Sequence, residues 1–166
     1  MTVKQPFETV VRAHGAMVLR ACRVVLGAVD ADDAWSETFL SAMTAYPDLP
    51  ADANVQAWLV TIAHRKALDV ARAATRRAVP LAEPPHTAAA AGRDVDLELE
   101  VAEALAGLPD KQLRCVAYHY LAGLPYAEVA AVVGGSADAA RRASADGIAA
   151  LRRTYPGVAP KEGQHR

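Results

Sequence analysis

PYAEVAAVVGGSADAARR, residues 125–142, reads as two helical stretches meeting across a glycine pair. Pro125 suits the first turn of a helix, where an amide has no intrahelical partner to lose. Gly134-Gly135 supply the turn, and Ser136 can cap the second stretch, which continues towards Arg153. Two helices joined by a tight glycine turn match a helix-turn-helix, whose second helix enters the DNA major groove. Ser136, Arg141 and Arg142 stand near the start of that second helix, where arginines reach base edges or phosphates. A plain helical hairpin with a solvated arginine pair has the same spacing.

Upstream, Asp110 is expected to cap a helix carrying Leu113, Val116, Ala117, Tyr120 and Leu121, closed by Gly123. Before it, Leu97, Val101 and Leu105 form a short helix ended by Gly107-Leu108-Pro109. Residues 79–96, VPLAEPPHTAAAAGRDVD, hold three prolines, an alanine run and a glycine, which together build no core and read as a flexible linker. In the first half, Phe7, Val10, Val11, His14, Val18, Leu19, Cys22 and Leu26 recur at helical spacing up to Gly27. A second helix is expected after Asp30-Ala31-Asp32-Asp33, with Trp35, Phe39, Leu40 and Met43 as its apolar positions and Pro47 and Pro50 as its stop. A third runs from about Val55 to Arg77 and buries Leu59, Ile62, Ala63, Ala67 and Val70. The expectation is an all-α chain of two small helical domains joined by a flexible linker, the C-terminal one a helix-turn-helix. The boundaries fall at 1–78, 79–96 and 97–155, with a disordered tail over 156–166.

Composition agrees. Hydrophobic residues make up 52% of the 166 positions but aromatics only 5%, so alanine-rich helices with thin cores are favoured over sheet. Net charge is −1 overall, yet it divides into +1 over 1–79, −5 over 80–103, +2 over 104–153 and +1 beyond: an acidic middle between weakly basic flanks. Cys22 and Cys115 have no second cysteine or histidine at metal-ligand spacing, so reduced buried thiols are expected rather than a disulfide or a zinc site. No apolar run approaches the ~20 residues of a membrane span. No signal-peptide order is present either, so a cytoplasmic protein without membrane insertion is expected.

Two further constellations carry chemistry. On the third helix, Trp58, Arg65, Arg72 and Arg76 fall on one side, away from the Leu59/Ile62/Val70 stripe. A flat ring beside a row of cations is what unstacked bases and their phosphate backbone require. The plainer alternative has Trp58 in the core and Asp69 paired with Arg65 or Arg72. On the second helix, Asp33 and Glu37 lie one turn apart beside Phe39 and Leu40. That face suits docking to a basic partner, and without a nearby histidine or glycine-rich loop it is no acid/base pair.

Taken in order, DADDAWSETFLSAM (30–43), NVQAWLVTIAHRKALDVAR (54–72) and LPDKQLRCVAYHYLAGLPYAEVAAVVGGS (108–136) resemble the second and fourth conserved regions of bacterial RNA polymerase sigma factors of the extracytoplasmic-function (ECF) group, within the sigma-70 family. The resemblance spans about 5–77 and 97–153. It implies a non-enzymatic protein, without cofactor or metal, whose partners are core RNA polymerase and promoter DNA; an anti-sigma inhibitor is a further partner it allows. It implies that Asp33, Glu37, Phe39 and Leu40 dock on polymerase. The loop Ala51–Asn54 would capture a flipped base of the minus-ten element, with Asn54 as the base contact. Trp58, Arg65, Arg72 and Arg76 would flank the melted strand, and Ser136, Arg141 and Arg142 would read the minus-thirty-five element. The chain departs from the family at Ser36, Gly135, Ala140, Ser144, Asp146 and Gly147, which leaves the reading helix smaller and less basic. Two less favoured functions fit the same residues: a sigma-like polymerase- or regulator-binding protein with a degenerate reading helix, and an enzyme using Cys22 or Cys115 with His119.

Overall fold

Gly27 sets the geometry of the first half. In the computed structural model, which describes residues 3–76, 100–101 and 103–154, it holds φ +83 and is the sole residue between helix α1, Phe7–Leu26, and helix α2, Ala28–Ala45. α2 therefore starts earlier than the aspartates suggested. Only Asp30 falls in its first turn, and no side chain caps it, because a one-residue reversal leaves no room for a capping segment. A 3-10 turn at Tyr46–Asp48 ends α2, and helix α3 follows over Val55–Arg76.

The core of this three-helix unit is thin, as composition implied. Val18, Ala31, Ala42 and Leu59 are fully buried between the helices. The volume comes from a few rings: Phe7 lies 5.4 Å from Tyr46 and 6.4 Å from Phe39, and Trp35 packs tilted against Phe39 at 4.7 Å. α1 approaches Trp35 at Gly15, whose carbonyl accepts the indole N–H at 2.9 Å, and a methyl there would sit 3.6 Å from the ring.

The second half is also helical throughout its described residues: α4 over 100–106 (102 excepted), α5 at Asp110–Val116 continuing as a π-helical turn through Ala117–Leu121, α6 at Tyr126–Val133, and α7 at Ala137–Thr154. Asp110 and Pro125 each differ by one position from expectation. Pro109 and Pro125 occupy the cap positions, with ψ near 150°, and the helices begin one residue later. Leu105, Leu113 and Val116 form the local core with Ile148 and Leu151 of α7. The linker expected over 79–96, Leu97, Arg77 and the tail over 156–166 lie outside the described residues.

The two halves share a core. Ala57 and Val60 of α3 pack with Cys115, Ala117, Tyr118 and Leu124. Tyr118, 2% exposed, reaches into a small cavity walled by Val18, Ala21, Cys22 and Val60. Gln56 donates its side-chain amide to the carbonyl of Ala122. α3 thus buries two faces: Leu59, Ala63 and Ala67, as its periodicity indicated, and also Ala57, Val60 and His64. Val70 is only half-buried.

Candidate nucleic-acid interface

The segment from Tyr46 to Asn54 is tied at both ends. Leu49 donates its amide to the carbonyl of Tyr46 at 3.1 Å, and a turn closes with the amide of Ala53 on the carbonyl of Pro50 at 3.1 Å. Asn54 then caps α3. Its Oδ1 accepts the amide of Ala57 at 3.1 Å, and its carbonyl accepts the amide of Trp58 at 3.0 Å. An asparagine cap of this kind stabilises a helix by about 1 kcal/mol. Between the ties, Ala51 and Asp52 are exposed, as is Asn54 itself.

Trp58 stands one turn into α3, half-buried, its ring 6.3 Å from Tyr46. It belongs partly to the core and partly to the surface beside the loop. Arg65, Arg72 and Arg76 continue along the helix, all exposed. Asp69 pairs with neither Arg65 nor Arg72: among the described residues, the only carboxylate–cation pair within 4 Å is Asp138 with Arg141. Among the described residues, the row of cations therefore has no carboxylate partner.

On α2, Asp33, Glu37 and Leu40 are exposed, Leu40 to 61%, and Met43 joins them at 52% although its spacing had suggested burial. Phe39 parts from this group. It is 6% exposed and held between Trp35 and Phe7, so it supports the helix from behind.

In the second half, α6 and α7 meet at Gly134 and Gly135, with φ +92 and +86. Side chains rarely adopt that left-handed conformation, which accounts for glycine at both positions of the turn. Ser136 caps α7, its Oγ accepting the amide of Ala139 at 3.1 Å. Arg141 donates to Asp138 at 2.7 Å and lies 5.3 Å over the ring of Tyr126, which itself stacks on His119 at 3.9 Å. Arg142 is exposed. On the other side of α7, Ala140, Ser144 and Gly147 are buried. The Oγ of Ser144 has no hydrogen-bond partner, and at Gly147 a methyl would come within 2.9 Å of Val116 Cγ2. The small residues are thus what lets α7 lie close on α5.

His64 is the functional-looking group that spacing alone did not single out. It is 8% exposed, and its Nδ1 lies 2.7 Å from the hydroxyl of Tyr118 across the shared core. Burial, then the cations of Arg114 and Arg65, lower its pKa to about 4, so the imidazole is neutral near pH 7. Tyr118, whose own pKa is raised by burial, keeps its proton, and with His64 in its Nε2–H tautomer the hydroxyl donates a hydrogen bond to Nδ1. A histidine facing another segment leaves no periodic trace in the sequence. The cysteines are unsuited to nucleophilic work: burial pushes Cys22 up to about 11 and raises Cys115, the opposite of a reactive thiolate. Among the described residues, no group of three metal-ligating side chains occurs, and no helix is long and apolar enough to cross a membrane.

Comparison with known proteins follows the same division. Residues 10–77 match the family model for sigma-70 region 2, and residues 98–151 match that for sigma-70 region 4. The chain is 35% identical over 114 residues to the ECF RNA polymerase sigma factor SigK of Mycolicibacterium vanbaalenii, which covers 63% of this chain and 57% of that protein. It therefore spans a little over half the length of this curated relative. Its fold is similar to that of the sigma factor RpoE solved in complex with the anti-sigma factor NepR from Bartonella quintana (TM-score 0.77, 17% identity, 92% of this chain and 98% of that one). It is also similar to CnrH solved with the cytosolic domain of CnrY (TM-score 0.69, 24% identity, 92% and 89%).

Proposed function

The chain belongs to the sigma-70 family, in its ECF group, and from that premise we propose that it binds core RNA polymerase, directs it to promoters and stabilises the opened minus-ten element. It acts in the cytoplasm and performs no covalent chemistry. The observation that carries this reading is the row Arg65, Arg72, Arg76, without a carboxylate partner among the described residues, which begins about two turns beyond the half-buried indole of Trp58 and about three beyond a doubly tied loop. Stacking of a separated base contributes roughly 1–3 kcal/mol, of the order needed to offset the few kcal/mol lost on unstacking it. The cations add phosphate contacts whose strength falls with salt.

The remaining residues take roles around that row. Asp33, Glu37 and Leu40, with Met43 beside them, form the surface that docks on polymerase; Asn54 offers its free amide N–H groups to a flipped base. Ser136 orients α7 on the upstream element, Arg142 contacts it directly, and Arg141 does so from a position fixed by Asp138 and Tyr126. An anti-sigma protein is a further partner, since both structural neighbours were solved bound to a second protein and one of those is named as an anti-sigma factor. A sigma-like protein lacking promoter choice is the less favoured reading, because the match to region 4 includes Ser136, Arg141 and Arg142 and the reading helix as far as Leu151. The test is transcription with core polymerase and the chain carrying both Arg65→Ala and Arg72→Ala. Strand opening, read by permanganate reactivity, falls by on the order of tenfold or more while polymerase affinity holds. Equal losses in both would refute the assignment.

A further inference from the structure

The segment ahead of α1 makes contacts that the proposed function does not use. Lys4 directs its ammonium at three backbone carbonyls just beyond the end of α2: those of Tyr46, of Pro47 at 3.1 Å and of Leu49 at 2.6 Å. The same nitrogen lies 4.5 Å over the Tyr46 ring, and the Tyr46 hydroxyl donates to the carbonyl of Gln5 at 2.6 Å. A helix C-terminus leaves its last carbonyls unpaired and partly negative, and a cation there satisfies both needs. Here one ammonium serves three carbonyls within the four residues that lead into the loop, and Asn54 fixes the other end at α3.

From this geometry we propose that Lys4 is a positioning residue for minus-ten recognition: it fixes the entry of the Leu49–Asn54 loop so that the exposed stretch between the two ties is presented in one conformation. The inference rests on the sigma reading above and adds to it a residue far in sequence from the loop. Fixing a binding loop beforehand removes the ordering entropy otherwise lost on contact with DNA. Lys4 touches no nucleic acid in this role. It acts through Tyr46, Pro47 and Leu49.

The test uses the full chain as Lys4→Met, which keeps length and removes the charge, and Lys4→Arg, which keeps the donors. Amide hydrogen exchange of the free proteins reads the loop directly. The Leu49 and Ala53 amides exchange at least several-fold faster in Lys4→Met and close to the wild-type rate in Lys4→Arg. With polymerase and a library randomised in the minus-ten element, Lys4→Met loses about tenfold in preference for the best sequences, as expected for a charge-assisted set of hydrogen bonds. Its polymerase affinity and upstream-element preference stay unchanged, and Lys4→Arg recovers most of the loss. Unchanged loop exchange overturns the proposal whatever the promoters do. Faster exchange with an unaltered minus-ten preference overturns it too, leaving Lys4 a purely structural staple. If the wild-type chain selects no promoter at all, the sigma reading fails first, and that outcome is distinct from either.

Discussion

Lowering the pH should loosen this protein through His64. Its pKa in the folded chain is lowered from 6.5 to about 4 by burial and by the Arg114 and Arg65 cations. A histidine lowered on folding contributes stability that is complete above its unfolded pKa and lost as pH falls towards the folded one, because the unfolded chain binds the proton more readily. The window therefore lies between about pH 6.5 and pH 4. At about 1.4 kcal/mol per pKa unit the full effect is about 3 kcal/mol, of which about 2 kcal/mol disappears between pH 7 and pH 5. In the Nε2–H tautomer, protonation also removes the acceptor for the Tyr118 hydroxyl across the shared core. His14, lowered by partial burial, works in the same direction, so wild type alone does not isolate the effect. Urea unfolding at pH 7, 6 and 5 should be compared with His64→Asn, whose amide oxygen can still accept from Tyr118 but does not titrate. The variant should lose about 2 kcal/mol less than wild type over that range. Parallel curves for the two proteins would refute the reasoning.

Two other substitutions probe separate parts of the molecule. Gly147→Ala sets a helix-propensity gain of about 1 kcal/mol against overpacking of about 1–3 kcal/mol. The added methyl meets Val116 at 2.9 Å, Leu108 at 3.4 Å and Gln112 at 3.5 Å, and a β-branched buried neighbour gives way poorly. A net destabilisation of about 1 kcal/mol is expected in thermal unfolding, and a stabilised variant would show that α7 has slack. Glu37→Lys should weaken polymerase binding on the order of tenfold at low salt, less at high salt, as an exposed charge at a docking rim does. Titration against core enzyme at two ionic strengths measures it, and a salt-independent loss would point to misfolding.

The parts of the fold visible in the sequence were those fixed by local chemistry. The extent of α3, the Ser136 cap and the Gly134-Gly135 turn all depend on residues within a few positions of one another. The second buried face of α3 was hidden because alanine favours helix whether it points in or out, and Ala57 and Val60 acquire their neighbours from residues more than fifty positions away. On α2 the adjacent positions Phe39 and Leu40 are equally apolar, and only the third dimension sends one inward and leaves the other at 61% exposure. In the sequence Gly147 stands only as a departure that makes the reading helix smaller. Its lack of a side chain is instead the clearance that close packing on Val116 demands. Candidate site residues could be named from the sequence, while the ties around them, through Lys4, Tyr46 and the asparagine cap, come from backbone groups that carry no signature.

The Tyr118 seam bears on how the chain melts. Two helical units separated by a proline-rich stretch would ordinarily unfold as two events, each with its own midpoint. Here Cys22 and Val60 of one unit line a single small cavity with Tyr118 of the other, so loosening either unit strips neighbours from the other, and the two transitions become thermodynamically coupled. Any partner that pulls the halves apart must first supply the free energy of that joint interior, which makes the seam a threshold on access to α3.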